Sequence, residues 1–192
     1  MNYGVYAPGS GRVVNAQLKV LVADITLTNN GSFESIPIPT GFDSLEILWA
    51  LRSTVSATSD VGRIWFNGDT TDANYSNQYV NGLFTTVVTA RGDNAQLREL
   101  TGSTSTAGDY GVAHMLIPFH QQPGVRRNIL SLYADRRDAT SHEVSIQAFN
   151  WESTEPITSI TIRTDNHPTD LLVAGSRVQV FGLGTFAVAL AR

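Results

Sequence analysis

No cysteine occurs among the 192 residues. That excludes disulfides, thiolate metal sites and cysteine nucleophiles, and it leaves the compartment open. Lysine is almost missing as well: Lys19 is the only one, and the other cations are arginines. Charged residues make up 16% of the chain, well below the usual ~25%. The net charge of −4 argues against a general nucleic-acid binder, which would present a basic face. The pairs Arg126-Arg127 and Arg136-Arg137 are too short for a phosphate track and read as solvated or subunit-facing arginines. Scarce lysine beside frequent arginine fits a surface covered by partners.

Long apolar runs are missing too. No stretch of ~18 apolar residues is present, so no membrane span is expected. Met1-Asn2-Tyr3-Gly4 lacks a basic segment leading into an apolar one, so no signal peptide is expected. The Asn30-Gly31-Ser32 and Asn74-Tyr75-Ser76 triplets are accordingly read as chance matches to the glycosylation pattern.

What is present is alternation. Leu45, Ile47, Trp49 and Leu51 alternate with Glu46, Leu48, Ala50 and Arg52, which gives a strand with one strongly apolar face. The same period of two recurs around Val112–Ile117, Ile129–Tyr133, Glu143–Ala148, Ile160–Arg163 and Val178–Val180. Pro37 and Pro39 demote the strand carrying Ile36 and Ile38 to an edge or a strand end. Asn67-Gly68, after Ile64-Trp65-Phe66, is a hairpin signal because both residues tolerate positive φ. Asp93–Leu100 reads equally as a capped helix or as a strand with a polar entry. The C-terminal Phe186–Leu190 reads as a final buried strand or as one paired with a neighbouring subunit. Eight or more strands with turn clusters between them predict an all-β, antiparallel sandwich with little helix. Residues 1–17, rich in glycine and small side chains, are expected to form an arm, with a single domain over 18–192.

Catalytic signatures are missing. His114, His120, His142 and His167 show no metal-ligand spacing. No nucleophile elbow and no phosphate-binding glycine loop occurs. Asp69, Asp72 and Asn74 form an oxygen-rich loop, but the spacing is that of a self-bonded turn rather than a calcium loop. Arg91-Gly92-Asp93 is read as a loop and not as an adhesion motif. No catalytic residue, metal site or cofactor is expected. Trp65 and Trp151 are candidate ligand or interface contacts, with core packing as the alternative for each.

The segment Arg63-Ile64-Trp65-Phe66-Asn67-Gly68-Asp69-Thr70-Thr71-Asp72-Ala73-Asn74-Tyr75 resembles a motif in virion-associated proteins of tailed bacteriophages. Further landmarks follow in order: Leu51-Arg52-Ser53 ahead of the motif, then Ile117-Pro118, Trp151 before Ile157, Ile160 and Ile162, and Gly175-Ser176 before Phe181-Gly182. The resemblance spans roughly residues 42–183. It implies a jelly-roll type of sandwich on the virion surface and supplies no catalytic residue. For Phe66, Asn67, Gly68, Asp69, Asn74 and Tyr75 it implies a structural motif: a turn, then a loop tied by hydrogen bonds. The resemblance assigns no station, since family members look like capsid decoration, head fibres, or tail and baseplate parts. A stand-alone domain with an arm suits capsid decoration, and the expectation is a homo-oligomer, with a trimer favoured and the major capsid protein as a partner. Assembly would take place in the bacterial host cytoplasm. The competing expectations are a tail-tip adhesin binding host surface glycan and, third, a polysaccharide-cleaving enzyme.

Overall fold

Alternation in β3 (Ser44–Leu51) sends Leu45, Ile47, Trp49 and Leu51 to one side, where all four are buried. Strands with one such face must stack on a second apolar layer. In a computed structural model, which describes residues 13–83, 86–136, 138 and 141–189, they do so as two antiparallel sheets.

The remaining strands are β1 (Val13–Thr26), β2 (Phe33–Pro37), β4 (Ser59–Phe66), β5 (Tyr75–Leu83), β6 (Thr86–Gly92), β7 (Gln96–Thr101), β8 (Gly111–Pro118), β9 (Arg127–Arg136), β10 (His142–Trp151), β11 (Ser159–Thr164) and β12 (Arg177–Ala189). One 3-10 turn, Asp72–Asn74, lies between β4 and β5. The larger sheet runs β1-β12-β3-β8-β9-β10-β5-β6 and the smaller β2-β11-β4-β7.

Pairing follows a nested order. First pairs with last (β1 with β12), then β2 with β11, β3 with β8 and β4 with β7. Successive pairs fall alternately in the two sheets. This is a long antiparallel ribbon rolled on itself, the jelly roll. The other four strands, β9, β10, β5 and β6, extend the larger sheet past the roll.

Several local expectations resolve here. The segment after Asp93 is a strand, β7, and its Leu97 and Leu100 are buried. β2 lies at the edge of the smaller sheet and ends on Pro37. Of the residues expected to form the arm, 13–17 belong to β1 and pair with Thr185–Ala189 of β12, and residues 1–12 lie, like 190–192, outside the described residues. Arg127 corrects the reading of the basic pairs. It is fully buried and donates to the carbonyls of Gln122 and Glu155, while Arg126 is exposed and pairs with Glu152. Arg136 is exposed and donates to the Asp138 carbonyl; Arg137 lies outside the described residues.

The roll and its extension have different interiors. Inside the roll, Leu45, Ile47, Met115, Val180, Ile64 and Ile160 meet in a dry core. Burial of this kind stabilises by about 1.5–3 kcal/mol per large side chain. Under the extension the buried face includes Asn77 and Asn81 on β5, Ser131 and Asp135 on β9, and Glu143, Ser145 and Gln147 on β10. Hydrogen bonds organise this layer. Tyr133 Oη donates to Gln147 Oε1 at 2.7 Å, and Gln147 Nε2 donates to the Gln96 carbonyl at 2.9 Å. Arg98 lies over the Tyr79 ring at 4.0 Å.

Candidate interaction face

The motif residues come together as a structural lock. Asn67 and Gly68 both take positive φ, 54° and 71°, and Asp69 N donates to the Phe66 carbonyl at 2.9 Å. That is the turn expected from Asn-Gly, but it makes no hairpin, because β4 and β5 belong to different sheets. The turn carries the chain from one layer to the other. Asn67 fastens it to the segment before β11: Nδ2 donates to the Pro156 carbonyl, and Oδ1 accepts from Thr158 N and Ser159 N.

Asp69 is the hub. Its carboxylate accepts from Trp151 Nε1 at 2.9 Å, from Asn74 Nδ2 at 2.9 Å and from Thr71 N at 3.1 Å. Partial desolvation pushes its pKa up, and these hydrogen bonds outweigh that and hold the carboxyl below its ordinary 3.8. Tyr75 Oη donates to the Asp69 carbonyl at 2.8 Å and accepts from Phe66 N at 3.1 Å. The Phe66, Tyr75, Phe149 and Trp151 rings cluster beneath. Asp72 receives Arg63, which also pairs with Asp165. The Asp69 and Asp72 carboxylates weighed for calcium are therefore engaged by N–H donors, and Asn74 turns its amide N–H towards Asp69.

Burial corrects the two tryptophans as candidate contacts. Trp151 is buried with its indole N–H committed to Asp69. Trp65 is buried too, and the Arg163 guanidinium covers its ring at 3.9 Å. Alternation alone sent Trp65 outward, and this stacked arginine closes off that side.

Arg52 is an organiser that pattern reading missed. Its guanidinium donates to four backbone carbonyls, those of Ser103, Ser105, Thr106 and Asp109, at 2.7–3.0 Å. One buried cation thus shapes the whole loop before β8. His120, in the turn after β8, is fully buried; desolvation, with Arg127 close by, pushes its pKa down to about 4. Among the described residues no three His, Asp or Glu side chains converge in metal-binding geometry.

The surface that stands out is the outer face of the larger sheet. Leu130 and Leu132 on β9, Val144 and Ile146 on β10, Val80 on β5 and Val112 on β8 are 46–60% exposed. They are neighbours. One transverse row reads Leu48, His114, Leu132, Ile146, Val80, Thr89 across β3, β8, β9, β10, β5 and β6. The next rows read Glu46, Leu116, Leu130, Ala148, Gln78, Arg91 and Ala50, Val112, Ala134, Val144, Gly82, Val87. Directly paired residues share a face, so this is one continuous band. Over part of their length β9 and β10 invert the usual arrangement: Ser131, Asp135, Glu143, Ser145 and Gln147 are buried while Leu130, Leu132, Val144 and Ile146 are exposed, whereas Ile129, Tyr133, Phe149 and Trp151 stay inside. Charge rims the band: Glu46, with Lys19 and His114 beside it, on one side, Arg91, paired with Asp93, on the other, and Arg136, near Asp109, past the Ala134–Val144 row. At the edge of the row through Ala148, Gln78 and Arg91 lies an open depression of about 290 Å³, lined by polar Ser76, Asn128 and Asn150 and by apolar Ile129 and Phe149.

No protein-family model, curated protein or solved structure matches this chain.

Proposed function

We propose that this chain is a non-enzymatic structural protein of a tailed-phage virion, a capsid decoration protein on the particle surface. The observation that carries the reading is the apolar outer face on a jelly roll. Scattered exposed leucines need no explanation, but a contiguous band marks an interaction surface. The centre of that band offers Leu, Val, Ile and Ala side chains rather than the converging polar groups of a sugar or catalytic cleft. The motif supports the same reading from the other direction, since Asp69, Asn74 and Tyr75 spend their polar atoms on tying the chain together. On this reading the partners are further copies of the chain and the major capsid protein, and assembly takes place in the bacterial cytoplasm. Mass spectrometry of purified particles tests it. The chain should be a stoichiometric component, and its absence from clean particles refutes the role.

The open depression beside Asn128 and Asn150, with amide side chains next to apolar Ile129 and Phe149, favours one second reading, a glycan-binding adhesin at the tail tip. A glycan array on the isolated protein, repeated with Asn150→Ala, separates the two. Binding lost in the variant favours the adhesin, and no binding removes it.

A further inference from the structure

We infer that the outer face of the larger sheet pairs with the same face of a second copy of this chain. The inference rests on the face that supports the virion reading and names what covers it.

The argument is self-complementarity. Two stacked sheets lie about 10 Å apart with strands roughly aligned. A two-fold axis parallel to the strands, between β9 and β10, sets β3 of one copy over β6 of the other and β8 over β5. In the central row Leu132 then faces Ile146. In the neighbouring rows four facing pairs set a large residue on a small one: Leu130 faces Ala148, Val144 faces Ala134, Val112 faces Gly82, and Val87 faces Ala50, while Leu116 faces Gln78. At the flanks Glu46 of one copy lies opposite Arg91 of the other, and past the Ala134–Val144 row Arg136 lies opposite His142. Interdigitation of large and small side chains is what dense sheet packing requires.

The area suffices. Six strands and three rows cover about 29 Å by 20 Å, roughly 600 Å² per copy and 1,200 Å² for the pair, which reaches the size of specific interfaces. A face that meets itself is isologous and closes at two subunits, whereas the trimer expected from the sequence would need a second, different patch.

Sedimentation equilibrium of the full chain tests this at tens of micromolar. The expected mass is twice the 20.8 kDa of one chain. Leu132→Asp places a charge at the centre of the contact and should weaken pairing more than about 100-fold. Because Leu132 lies outside the core, the far-UV spectrum should not change. A second variant probes geometry. Leu116→Cys with Gln78→Cys puts thiols on β8 and β5, with two strands between them within one chain but facing each other across the interface. With no native cysteine, a thiol cross-linker of about 10 Å span should join two chains of the double variant, and neither single variant should be joined. A single-chain mass for the unaltered protein, a dimer indifferent to Leu132→Asp, or no cross-link each overturns the inference. The virion reading fails separately: a single-chain protein that is present in particles sinks the pairing alone, and a dimer absent from particles sinks the virion role alone.

Discussion

Replacing Asp69 by alanine tests whether the motif is a lock. The carboxylate accepts two side-chain hydrogen bonds at 2.9 Å, from buried Trp151 and from Asn74, and a backbone one from Thr71. Hydrogen bonds to a charged group are worth about 1.5–3 kcal/mol each, and losing the acceptor leaves the buried indole N–H without one. Taking the low end, because the loop is partly solvated, the two side-chain bonds give about 3 kcal/mol. For a domain of this size that lowers Tm by roughly 6–12 °C. Thermal unfolding followed by tryptophan fluorescence is the assay, since Trp151 reports on the site directly. Asp93→Ala removes an exposed carboxylate and serves as the control, expected within about 0.5 kcal/mol of the parent. The lock also has an acid signature. Asp69 has a lower pKa folded than unfolded, so its contribution is complete above the unfolded value and fades as pH falls through the folded one. An Asp69→Ala loss below about 1 kcal/mol, unchanged between pH 7 and pH 3, would refute the reasoning.

Three further outcomes are expected. Arg52→Met should cost about 3 kcal/mol and should open the Ser103–Asp109 loop to protease, read by mapping the first cleavage. Gly182→Ala brings a Cβ within 2.3 Å of the Phe42 ring, so it should destabilise strongly in urea unfolding, and Phe42→Ala in the same chain should recover part of the loss. His120 is held neutral in the fold, with its pKa lowered to about 4 by burial, so stability should fall as pH drops from about 6.5 towards 4. His120→Gln should flatten that limb of the pH–stability curve.

The sandwich was legible because alternation is a local signal. Leu45 through Leu51 declares its two faces from the sequence alone, and Pro37 declares an edge. Turn chemistry was legible at Asn67-Gly68, but not its destination: positive φ fixes the reversal and leaves open which sheet receives the chain. In β9 and β10 a period of two marks two faces without saying which lies inside. Leu130, Leu132, Val144 and Ile146 face out because β7 and the polar layer around Gln147 occupy the other side. Trp65 and Arg127 escaped for a related reason. Each meets a residue distant in sequence, Arg163 over Trp65 and the Glu155 carbonyl at Arg127, where nearby Gln122 adds a second carbonyl.

The most direct test of the account is a cryo-EM map of the purified particle at a resolution that traces strands. The account predicts a jelly roll bound to the particle, with Leu132 and Ile146 buried against a neighbouring protein. Particles without this chain, or a bound chain whose β9–β10 face lies open to water, would contradict it.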